Sequence, residues 1–78
     1  MAHIDITHDQ IHSKLYGMSS LSESTRSSVA DAIIHLSDAD DWYPESFRRS
    51  LHSMQDRGTL SEQHRHDLEK LFFPGHSW

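Results

Sequence analysis

The sequence predicts an all-α fold: a small bundle of three to four short helices, expected to pair with a second copy. Apolar residues recur at helical spacing in four separate stretches. Each stretch opens on a Ser, Thr or Pro start signal and closes on Gly, Pro or an acidic-polar break. No run alternates apolar and polar residues as a half-buried strand would, and no internal repeat shows at a fixed period.

Thr7-His8-Asp9-Gln10 has the form of a capping box, in which the Thr7 hydroxyl accepts from the Gln10 amide. Ile11, Leu15 and Met18 then fall on one side, and Gly17 with the polar run after it stops the helix, at about 8–17. Ser20-Leu21-Ser22-Glu23 reads as a second box. Behind it Val29, Ile33 and Leu36 recur at i, i+4 and i+7, with Ala30, Ala32 and Ile34 widening the stripe, for a helix at about 22–37. Serines at 22, 24, 27 and 28 are poor helix formers, so its start is expected to fray.

The acidic break Ser37-Asp38-Ala39-Asp40-Asp41 leads to Trp42-Tyr43 and then Pro44, a residue suited to the first helical position. Phe47, Leu51 and Met54 repeat the i, i+4, i+7 pattern, while Arg48, Arg49, His52, Gln55 and Asp56 form a polar face. Arg57 suits the C-terminal dipole and Gly58 suits the position after the cap, so the third helix spans about 44–57. Thr59-Leu60-Ser61-Glu62 reads as a third box. Leu60, Leu68, Leu71 and Phe72 then line one face of a fourth helix at about 60–73, which Pro74-Gly75 ends before a short tail with Trp78.

A chain of 78 residues is one domain, here 1–78, with flexible ends expected at about 1–6 and 75–78. With 35% hydrophobic residues its core is modest, and such a core rarely supplies more than about 3–5 kcal/mol net. Self-association, or docking on a partner, is the expected source of further burial. There is no cysteine, which fits a reducing cytosol. The N-terminal residues lack the basic and apolar regions of a signal peptide, and no apolar run approaches the ~20 residues that cross a bilayer. A cytoplasmic protein without membrane contact is expected.

The formal net charge is −5, so phosphate repels the chain at long range and direct DNA binding is disfavoured. Eight histidines stand at 3, 8, 12, 35, 52, 64, 66 and 76. Protonating all of them, from ordinary values near 6.5, would carry the net charge to about +3. Their plain reading is solvated surface imidazoles.

No residue pattern points to catalysis. His8 and His12 share a helix face and can chelate a metal, but two ligands make no closed site, and Asp5 or Asp9 would need a chain reversal to help. His64 and His66 point about 200° apart on a helix. Asp38 to Asp41 resembles the start of a calcium loop, yet Tyr43 stands where glycine is required and Arg49 where the bidentate Glu belongs. No serine sits in a nucleophile elbow, and three scattered glycines make no phosphate cradle. No catalytic residue, cofactor or metal is expected.

The surplus lies in aromatic and acidic side chains. Phe47 and Phe72 suit a core, whereas Trp42, Tyr43, Phe73 and Trp78 exceed what so small a bundle hides and suit an interface with a partner protein. Asp38, Asp40, Asp41 and Glu45 add an acidic fringe.

With the helices placed, residues 10–75 resemble a family of small enterobacterial regulators of biofilm formation and acid resistance. Its members are connectors that feed a two-component phosphorelay. The resemblance rests on Leu15-Tyr16 before a polar gap, on Leu21 and Glu23 opening a helix with Val29, Ile33 and Leu36, and on Phe47, Leu51 and His52-Ser53-Met54-Gln55. It continues in Arg65-x-x-Leu68-Glu69 before the final apolar pair; Trp42-Tyr43-Pro44 and the tail from Phe72 to Trp78 depart from it. It implies an all-α homodimer that works in the cytoplasm without catalysis, by altering the output of a signalling protein or transcription regulator.

Two other functions are compatible with the residues. A phage or mobile-element inhibitor, of anti-CRISPR or host-takeover type, would present Asp38, Asp40, Asp41 and Glu45 as phosphate mimics to a nucleic-acid-handling complex. A helix-turn-helix regulator would use the turn Arg57-Gly58-Thr59, but its recognition helix sets Glu62, Asp67 and Glu69 against Arg65 and Lys70.

Overall fold

The computed structural model describes residues 6–78 and bears out the all-α class: four α-helices, with no strand among the described residues. They are α1 His8–Tyr16, α2 Glu23–Asp38, α3 Pro44–Asp56 and α4 Glu62–Phe72. His3 and Asp5 lie outside the described residues. The helices group into two compact units, the first ending at Trp42 and the second running Tyr43–Trp78. Within the first, α1 packs on α2; within the second, α3 packs on α4. No helix among the described residues is long and apolar enough to cross a membrane.

The first unit buries Ile11, Leu15, Leu21, Val29, Ala30, Ile33 and Leu36, and the second Phe47, Leu51, Met54, Leu60, Leu68 and Phe72. Helical spacing selects nearly all of these, but Met18, Ala32, Ile34 and Leu71, which it also selects, are only half-buried, and Leu21 is buried ahead of α2 without belonging to a stripe. Helix starts follow local hydrogen bonding. The Thr7 box forms in full: the Gln10 amide donates to Oγ1 of Thr7 at 3.1 Å, and the Thr7 amide donates to Oε1 of Gln10 at 2.9 Å.

The other two boxes do not form where expected. α2 is capped by Ser22, which accepts from the Thr25 amide, and α4 by Ser61, which accepts from the His64 amide. In each case the leucine just before the cap, Leu21 or Leu60, is buried. Pulling that leucine inward moves the cap onto the serine behind it, so α4 begins at Glu62 and leaves Leu60 outside the helix.

Both long helices end in the same way. The Asp41 amide donates to the Leu36 carbonyl and that of Asp40 to the Ser37 carbonyl; the Thr59 amide donates to the Met54 carbonyl and that of Gly58 to the Gln55 carbonyl. These are Schellman closures, which place one residue in the left-handed region. That residue is Gly58 (φ 81°) after α3 and Asp40 (φ 56°) after α2. A Cβ on Gly58 would meet nothing within 4 Å, so Gly58→Ala tests the backbone term alone. It is expected to cost about 1 kcal/mol, read as a lower urea midpoint at unchanged m-value.

Candidate functional site

In the first unit, Tyr16 closes α1 one residue past the buried Leu15, which turns its ring off the core face and leaves it 80% exposed. Beside it, between α1 and α2, lies an open groove of about 490 Å³ with mostly apolar walls. His12, Tyr16, Glu23, Arg26, Ser27 and Ala30 contribute to it. Arg26 fixes one wall. Its Nη2 donates to the carbonyls of Met18 (3.2 Å) and Leu21 (3.1 Å), which pins the turn between the helices, and its guanidinium carbon stands 5.6 Å from the centre of the Tyr16 ring. A cation over a ring face is attracted by the ring quadrupole, so Tyr16 is held although it is exposed.

In the second unit a carboxylate is buried. Glu69 is fully enclosed, and its Oε2 accepts from Nη1 of Arg65 at 2.7 Å, with Arg65 itself 4% exposed. Nε of Arg48 stands 3.4 Å from the same oxygen. Oε1 has no hydrogen-bond partner among the described residues; Nδ1 of His66 is 3.6 Å away. Arg65 also donates from Nε to Oε1 of Gln55 at 2.6 Å, which joins α4 to α3. From sequence, Arg65 and Glu69 count among the charges of a would-be recognition helix, which would present them to DNA. The structure encloses both, and the Arg65 guanidinium is consumed by internal partners.

The aromatic residues singled out from sequence separate. Trp42 is half-buried at the end of the first unit, and Tyr43, 47% exposed, opens the second at the cap position of α3. Phe73 and Trp78 come together. Past α4 the chain turns, with the His76 amide donating to the Phe73 carbonyl, and Trp78 folds back so that its Nε1 donates to that carbonyl at 3.3 Å. Its indole meets the edge of Phe73 at 6.4 Å and lies 5.5 Å from the Arg48 guanidinium, and Phe73 in turn meets buried Phe47 edge-on at 5.2 Å.

The acidic candidates divide too. Asp38 lies in the last turn of α2 with Asp40 and Asp41 just after it, whereas Glu45 lies in the first turn of α3. Oδ1 of Asp38 stands 2.9 Å from Nε2 of His8, so the His8–His12 pair is split: His8 turns to Asp38, and His12 faces the groove. Among the described residues no three His, Asp or Glu side chains converge as a metal set. Tyr16 and the groove were missed as a site from sequence, since Tyr16 entered that reading only through the family resemblance.

Comparison with protein-family models, curated proteins and solved structures returned no match.

Proposed function

We propose that the chain is a non-enzymatic regulatory protein that acts by binding another protein through Tyr16 and the α1–α2 groove. The observation that carries this is the 80% exposure of a tyrosine held against Arg26 at the lip of an apolar groove. Tyr and Arg dominate the energetic centres of interfaces, because a large ring, or a planar cation, gains much contact for little lost freedom. A ring already braced by a neighbouring guanidinium loses still less on docking. The net charge of −5 favours a protein partner over nucleic acid. A signalling protein or transcription regulator is the partner class in this proposal, with the chain itself acting as a connector of the biofilm and acid-stress type. Homodimerisation belongs to the same proposal and is read by sedimentation equilibrium.

The test is quantitative affinity purification from the native host with wild type and Tyr16→Ala side by side. The specific partner should be depleted at least tenfold by the substitution, while stability stays within about 0.5 kcal/mol because the ring is exposed. Equal recovery from both proteins would remove Tyr16 and the groove as the contact surface.

A further inference from the structure

The two helical units repeat one pattern. Thr7 and Tyr43 are the cap residues of α1 and α3, and Ile11, Leu15 and Met18 stand where Phe47, Leu51 and Met54 stand. Leu21-Ser22-Glu23 matches Leu60-Ser61-Glu62, with both leucines buried and both serines capping. Arg26, Val29 and Ile33 then match Arg65, Leu68 and Phe72 in step. Arg26 and Arg65 also act alike, since each reaches back from the second helix of its pair: Arg26 to the turn, Arg65 to Gln55 on α3. The first helix of the pair is longer in the second unit, 13 residues against 9, and the turn after it is slightly shorter, which is why no fixed period shows along the chain.

This register matches the faces of the two hairpins residue by residue. The groove positions His12, Tyr16, Arg26, Ser27 and Ala30 correspond to Arg48, His52, Arg65, His66 and Glu69. In the second hairpin this face holds the Arg48–Glu69–Arg65 cluster, and an indole stands at its Arg48 edge: Trp78, 5.5 Å from that guanidinium and bonded to the Phe73 carbonyl. In the first hairpin the same face is an open groove, with Ala30 where Glu69 stands, and Trp42, which follows α2, is not among the residues that line it.

We propose that the α1–α2 groove is the docking site for a tryptophan-bearing segment of the partner protein, which does for the first hairpin what Trp78 does for the second. This rests on the reading of the groove as the contact surface and names the chemistry of its occupant. The ring would stack beside Tyr16 and the Arg26 guanidinium, against Ala30. Trp78 shows the manner of attachment: the residues between Phe73 and Trp78 are all exposed, so the indole holds the tail while the segment joining it stays in solvent.

The probe is a capped hexapeptide with the sequence of residues 73–78, titrated into the full chain by calorimetry and amide-resolved NMR. Wild type should bind one equivalent, with the largest shifts at Tyr16, Ser27 and Ala30, and Tyr16→Ala should weaken binding at least fivefold. Trp78→Ala opens the second seat, so that chain should bind two equivalents. The same peptide with leucine in place of tryptophan should bind at least tenfold more weakly. Absence of binding to wild type, shifts confined to α3 and α4, or equal affinity for the leucine peptide would each overturn the proposal. Concentration-dependent association of wild type that vanishes in Trp78→Ala would also overturn it, by making tail exchange between copies the occupant. If Trp78→Ala loses its helical signal, the wild-type and Tyr16→Ala titrations decide alone. A partner anchored by a non-aromatic side chain would sink this inference and leave the Tyr16 purification result standing, so the two failures are distinguishable.

Discussion

Glu69→Ala is expected to cost about 3–5 kcal/mol, enough to leave the chain largely unfolded at room temperature. The loss does not come from missing volume. Ala30 occupies the matching position of the first hairpin and is buried there without difficulty, so the backbone tolerates a methyl group at this site. It comes from Arg65, 4% exposed, whose Nη1 loses its carboxylate partner at 2.7 Å while the guanidinium stays enclosed. An enclosed cation without a counter-charge has lost its hydration and gained nothing in return. Arg48 is the useful contrast. Its side chain is 40% exposed, so Arg48→Gln leaves Glu69 still bonded to Arg65 and should cost about 1 kcal/mol or less. The double change Arg65→Met with Glu69→Leu removes both charges and fills similar space, and should fold within about 2 kcal/mol of wild type. Thermal melts followed by circular dichroism check all three; a single-site Glu69→Ala that melts like wild type would show that Arg65 finds water or another acceptor.

Position arithmetic alone put that pair inside. Arg65, Leu68, Glu69 and Phe72 stand at i, i+3, i+4 and i+7, the core stripe of α4, and all four are buried. Apolar spacing alone brings out Leu68 and Phe72, and leaves Arg65 and Glu69 among the charges of a would-be recognition helix. Charges taken singly stay at the surface; a pair four apart can neutralise itself and follow its neighbours inward. Helix existence, order and most of the core were legible because spacing and stop signals agree in every segment. The cap positions of α2 and α4 were not, since two hydroxyl residues flank each leucine and only burial of Leu21 and Leu60 chooses between them. That Tyr16 points away from the core follows from Ile11 and Leu15 on the other face. That it borders a groove does not, because the wall is Arg26, placed by carbonyls of a turn that spacing cannot locate.

Phe47→Ala should be the other severe substitution, at about 3–5 kcal/mol, and larger than Ile11→Ala at the matching place in the first hairpin. Both side chains are fully enclosed, so simple burial of the two differs only by size. Phe47 adds ring contacts, to Phe72 at 5.5 Å and to Phe73 at 5.2 Å, of a kind worth about 0.5–1.5 kcal/mol each beyond area. Ile11 has no such partners to lose. Phe47→Leu should therefore recover the burial and leave a deficit near the ring terms alone. The consequence reaches the tail, because Phe73 is braced by Phe47 on one side and bears Trp78 on the other. In a Trp42→Phe background, where Trp78 is the sole indole, Phe47→Leu should shift tryptophan emission to longer wavelength and increase quenching by iodide. An unchanged spectrum would mean that Arg48 and the Phe73 carbonyl hold Trp78 without the ring beneath it. Emission matching the free hexapeptide would mean that the phenyl stack is what seats it.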